Sequence, residues 1–206
     1  ALESIKLKKS SLEIHNLALV SLSKLLKTKK EIQRVEAYDN SHTSGKNSVG
    51  VMIVADKEGL SPKNYRKFNI RYDLKNNNIS KIDDYYMMEE VLTRRLGKID
   101  KKDESPIPDV IIIDGGRGQF NSVLKILKKY QLENINLLSV SKGPERNAGR
   151  EIIHLENQNL NLKPNDSLLI FIQRLRDEAH RFAITAHRSR RSKSSIKSIF
   201  DDIKGI

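Results

Sequence analysis

The chain has 206 residues, enough for one sizeable domain with a real core. Its 38 Lys+Arg against 26 Asp+Glu give a formal net charge of +12, which favours phosphate-rich partners, although such a surface also suits any soluble basic protein. Cysteine is absent, which excludes disulfides, thiolate metal sites and cysteine nucleophiles and is compatible with a reducing cytosol, and no apolar stretch approaches the ~20 residues needed to span a bilayer.

No charged-then-apolar leader is visible at the start. The opening at Ala1 and the stop at Gly205-Ile206 give the expectation of a piece cut from a longer protein. Residues 1–30 read as a helix with a basic end, from the spacing of Leu12, Ile14, Leu17, Leu19, Leu22 and Leu25-Leu26 followed by Lys27, Lys29 and Lys30. Three strand-like runs follow, at 34–39, 48–55 and 65–72, with the turn Asp56-Lys57-Glu58-Gly59 between the last two. The Asn76-Asn77-Asn78 loop leads to Asp83-Asp84, and a helix is expected over Tyr86 to Leu96, with Gly97 near its end.

Pro106 and Pro108 precede a β-branched run, 110–113, that reads as a buried strand ending in Asp114 and turning on Gly115-Gly116. A helix at 119–130 and a strand at 136–140 come next, then a basic, glycine-bearing loop from Lys142 to Arg150. Residues 152–155 and 159–162 suit a short hairpin. A long helix from 166 to 188 carries an apolar stripe of Leu168, Ile172, Leu175, Ala179, Phe182 and Ala186, and a basic serine-rich segment, 188–198, is expected to end it. Three meander strands followed by alternating helix and strand predict an α/β fold, with a mixed central sheet flanked by helices, as in the RNase H-like fold.

Asp39 and Asp114 each close a strand. On neighbouring strands the two carboxylates would converge, and they would repel unless a cation sat between them. Mg2+ or Mn2+ is the natural cation, because it takes carboxylate and phosphate oxygens alike. Taken singly, each Asp also suits a turn or a helix cap. His180 falls beside the stripe of the long helix, where an imidazole can serve as ligand or as general base, or can be an ordinary boundary histidine. His187 lies on a similar face, and periodicity does not separate the two. Asp83 or Asp84 suits a helix cap, which leaves the other free for an acidic cluster. Lys142 and Arg146 in the basic loop, Arg181 on the long helix, and Arg188, Arg190 and Arg191 in the tail are candidate phosphate contacts; such charge runs are otherwise solvated surface. Gly115-Gly116-Arg117-Gly118-Gln119 lacks the Lys-Ser/Thr of a P-loop and the spacing of a dinucleotide fingerprint.

Five motifs in series carry a resemblance. They are Tyr38-Asp39-Asn40-Ser41-His42-Thr43, Asp83-Asp84-Tyr85-Tyr86-Met87-Met88-Glu89-Glu90-Val91-Leu92, Pro108 through Gly116, Lys142-Gly143-Pro144-Glu145-Arg146, and Arg176-Asp177-Glu178-Ala179-His180-Arg181-Phe182-Ala183-Ile184. Over nearly its whole length the chain resembles the C-terminal half of the UvrC family, the nuclease subunit of bacterial nucleotide excision repair. The resemblance implies an RNase H-like endonuclease domain related to endonuclease V, cytoplasmic, metal-dependent, making the incision on the 5′ side of a lesion in damaged double-stranded DNA with UvrB as partner. It places the catalytic residues on Asp39, Asp114 and His180, with a further acid in the Asp83-Asp84 pair, favouring Asp84. It also implies a helical lead-in at 1–30, the nuclease domain at 31–195, and a linker at 196–206 toward a helix-hairpin-helix region. Asn40 departs from the aliphatic residue usual in the family. The rival reading is a non-catalytic nucleic-acid-binding module of the same fold.

Overall fold

A computed structural model describes residues 2–41, 48–70, 84–100, 106–143 and 151–201. The expectations that fall on His42-Thr43, the 71–83 stretch with Asp83, and the 144–150 loop with Arg146 lie outside the described residues, as do the side chains of Asp84, His187, Arg188, Arg190 and Arg191.

The strands are β1 (Arg34–Ser41), β2 (Val49–Asp56), β3 (Gly59–Leu60), β4 (Arg66–Asn69), β5 (Val110–Asp114), β6 (Asn136–Ser141), β7 (Ile152–His154) and β8 (Asn159–Asn161). They form one sheet in the order β3-β2-β1-β5-β6-β7-β8, with β4 also on β2. β1, β5 and β6 run parallel, and the flanking pairs are antiparallel, so the sheet is mixed as expected. The parallel centre follows from sequence: Val110 to Ile113 are all buried, which suits a strand covered on both faces. Asp109 fixes the start of the pairing, its Oδ2 accepting from the backbone N–H groups of Gln33 at 2.7 Å and Arg34 at 2.8 Å.

Helices α1 (Leu2–Leu26), α2 (Asp84–Asp100), α3 (Arg117–Lys129) and α4 (Ser167–Asp201) cover the sheet. Strand alternation sorts them by face. Glu36 and Tyr38 look toward α2, where Arg95 meets Glu36, while Asp39 looks toward α4, where it meets His180. α3 packs beside α2, and α1 lies on α4.

α1 forms as expected and buries His15, Ala18, Leu19 and Leu22, whereas Leu12, Ile14 and Leu17 are exposed. Two local readings change. α4 does not end at the basic serine-rich segment but continues to Asp201, since Ser, Lys and Arg are tolerated in a helix and neither Gly nor Pro interrupts the run. On α4, Ala183 rather than Phe182 continues the buried stripe; Phe182 is half-buried and stacks edge-on against Tyr65. The short β3 and the 3-10 turn at Pro62–Asn64 have no counterpart in the sequence reading.

Candidate active site

The register of β1 on β5 is Val35↔Val110 through Tyr38↔Ile113. One step further brings Asp39 level with Asp114, on strands separated by about 4.8 Å. Asp114 does close β5, but β1 continues past Asp39 to Ser41, so the expected strand end holds for one of the two; the parallel register, rather than two strand ends, sets the carboxylates side by side.

The two carboxylates have different surroundings. Asp39 is only 7% exposed, and among the described residues its Oδ2 meets no polar partner closer than the His180 ring. The nearest cation-forming group is His180 Nδ1, 3.4 Å from that oxygen, on a ring that is 67% exposed. Burial, and then the charge of Asp114, push the Asp39 carboxyl up to about 6, against a smaller opposing pull from His180. A buried carboxylate with an open lone pair beside a second carboxylate is costly unless a cation completes it. An oxygen-rich donor set of this kind fits a hard divalent ion, which is commonly held by one or two carboxylates plus water and phosphate oxygens. Among the described residues no three of His, Asp and Glu stand together as a complete metal cage.

Asp114 is already partnered. Arg176 on α4 donates from Nε to its Oδ1 at 3.1 Å, and Arg176 Nη2 lies 2.9 Å from the same oxygen. The same guanidinium reaches Glu151 Oε1 at 3.6 Å, and Gln173 Nε2 donates to both Glu151 oxygens at 3.0 Å. Sequence reading gave none of Glu151, Gln173 and Arg176 a role. Arg176 stands four residues before His180, one helical turn, and that i,i+4 spacing is the signal that places both on the face of α4 toward the carboxylates.

The remaining expected residues are dispersed. Asp84 begins α2. Lys142 is exposed just after β6. Arg181 is exposed but engaged in a forked pair with Glu178, with two contacts of 2.7 Å, so a phosphate must compete with that carboxylate. The glycines after Asp114 form the turn into α3, whose N-cap is Gly116.

Comparison with known proteins adds to this geometry. The family described as "UvrC RNAse H endonuclease domain" matches residues 23–184. A UvrABC system protein C from Zymomonas mobilis is 48% identical over 178 residues, covering 84% of this chain and 26% of that protein. One from Rhodopseudomonas palustris strain BisB18 is 46% identical over 202 residues, covering 91% of this chain and 28% of that protein. The chain thus spans about a quarter of the length of these relatives. Among solved structures, human ENDOV aligns with a TM-score of 0.41 at 14% identity, over 75% of this chain and 63% of that one.

Proposed function

The chain belongs to the UvrC RNase H endonuclease domain family, and from that premise we propose that it hydrolyses a DNA phosphodiester at Asp39, Asp114 and His180. The incision is the one 5′ to a lesion in nucleotide excision repair, on damaged double-stranded DNA delivered by UvrB. The observation that carries the reading is the pairing of Asp39 with Asp114 at one sheet edge, with a buried oxygen on Asp39 that among the described residues faces only the long contact to His180.

Asp39 and Asp114 are the residues to hold Mg2+ or Mn2+. Such an ion, when bound, offsets charge on the scissile phosphate and lowers the pKa of the attacking water. The chain's own groups do the rest. Asp39, fixed in the middle of a rigid sheet, orients its free oxygen without loop reorganisation. His180, largely exposed, can take a proton from the water and release it to solvent. Arg176 keeps the second carboxylate in place from the α4 side and offsets part of the repulsion between the pair.

The test is Mg2+- or Mn2+-dependent incision of a lesion-bearing duplex preloaded with UvrB and already nicked on the 3′ side, comparing wild type with Asp114→Ala. A metal-dependent cut 5′ to the lesion, lost in the variant while DNA binding persists, is expected. A variant that still cuts sinks the assignment of Asp114. The rival, a binding module that has the fold without the chemistry, draws on one observation: Arg176 already neutralises Asp114. It predicts salt-sensitive DNA binding and no metal-dependent cut by wild type under the same conditions.

A further inference from the structure

On the sheet face turned away from Asp39 and Asp114 lies a hollow of about 190 Å³ that the nuclease chemistry does not use. Alternation and register place it there. Arg34 shares the face of Glu36 on β1; Met52 pairs with Tyr38, and Arg66 pairs with Met52. α2 closes the hollow with Arg94, Arg95 and Lys98. Five cations therefore meet at one concavity, and among the described residues the carboxylates that touch them are Glu36, held by Arg34 and Arg95, and Glu90, held by Arg94. Lys67 also lines the hollow, but its ammonium sits over the Phe182 ring on the α4 face.

The floor is built rather than incidental. Arg95 has a side chain only 5% exposed. Its Nε and Nη2 are committed, to Glu36 at 3.2 and 2.7 Å and to the Pro106 carbonyl at 2.6 Å. Its Nη1 is buried and, among the described residues, makes no hydrogen bond of good geometry, although the Tyr38 hydroxyl stands close to the guanidinium. Leaving a charged donor unsatisfied in the interior costs about 1–3 kcal/mol or more, so Nη1 favours any acceptor that can reach it. Arginine forks match tetrahedral and planar oxyanions, and a surplus of cations over two carboxylates suits a dianion better than a single carboxylate.

We propose that this hollow is a phosphoryl-binding site distinct from the candidate active site, with Arg66 and Lys98 at its rim and Arg95 at its floor. Arg34 is five residues from Asp39 along β1, so the hollow lies about 17 Å from the carboxylates along the strand, and across the sheet from them. A phosphate held here is not the scissile one. It belongs either to a duplex that passes around the β2–β4 side of the sheet or to a small phosphorylated ligand, and the cleavage reading is not needed for either.

The test uses the chain with Arg66→Gln and Lys98→Gln, both at exposed positions, singly and together. Lys125→Gln on α3, also exposed, makes the same charge change elsewhere. One arm titrates inorganic phosphate and follows backbone amide shifts; the other measures undamaged duplex binding in chelator against salt. Shifts confined to β4 and α2, lost in the double variant and kept in Lys125→Gln, are expected. If the salt slope of duplex binding also falls by about 1 per contact removed, the phosphate comes from the duplex. If the slope is unchanged while the phosphate shifts are lost, the ligand is small. If phosphate produces no localised shift and the slope does not move, the proposal is overturned. If wild type binds no duplex at all, the nuclease reading fails, and the phosphate arm still decides the hollow.

Discussion

Asp39 is a buried carboxylate whose ionisation the fold opposes, and the sign of its contribution to stability follows. Its folded value is raised from 3.8 to about 6, burial being the larger cause and the charge of Asp114 the second. The folded state therefore holds a proton that the unfolded chain releases. No penalty exists below about pH 4, where both states are protonated; it grows between 4 and 6 and is complete above 6. A shift of this size corresponds to about 3 kcal/mol at most. Asp39→Asn, nearly the same shape without the charge, is expected to be more stable than wild type at pH 7 in chelator, with the advantage vanishing near pH 4. Urea midpoints across that range measure it, and a difference that stays flat with pH would refute the electrostatic account. The same residue is thus strained in the empty protein and, on the proposed function, relieved by a cation.

At the level of elements, the position of α2 depends on Gly50. A methyl added there would lie 2.3 Å from Val91 Cγ2, and Val91 is fully buried, so α2 approaches β2 more closely than any side chain allows. Gly50→Ala is expected to cost about 1–3 kcal/mol by overpacking, and Val91→Ala in the same chain should return part of it, because the colliding methyl is gone. Thermal unfolding of the single and double variants reads this; additive losses would show that the contact is not the cause. Elements of this kind were legible where local chemistry dictates them. The strand before Asp114 follows from its continuous β-branched run, and the α4 stripe from Leu168 to Ala179 follows from periodicity. Asp114 was legible as a strand end, whereas Asp39 lies inside β1, which runs on to Ser41, and their adjacency needed β1 to pair with β5 across a long intervening stretch. Glu151, Gln173 and Arg176 were not legible, because Glu151 meets α4 only through tertiary packing and nothing in its own segment marks it. α1 was legible as a helix, but its buried face was not, since a run rich in Leu at many offsets does not say which stripe meets α4.

For the whole molecule, a net positive chain carries a carboxylate pair at its candidate cleavage edge. The chain carries +12 overall, which draws it to nucleic acid, yet the candidate cleavage edge presents two carboxylates to the phosphate it is proposed to receive. Without a metal that edge opposes the attraction of the rest of the surface. A unit charge at ~4 Å contributes about 1 kcal/mol in water, less when screened by salt. The double variant Asp39→Asn with Asp114→Asn is therefore expected to bind an undamaged duplex more tightly than wild type in chelator, by roughly tenfold or less. Mn2+ should then raise the affinity of wild type and leave that of the double variant unchanged. Fluorescence anisotropy at fixed ionic strength, with neither lesion nor UvrB present, isolates binding from incision. Equal affinities in chelator and an equal response to Mn2+ would mean that the duplex lies away from the carboxylates. The proposed assignment of Asp39 and Asp114 to the scissile phosphate would then fall even if the fold and the family stand.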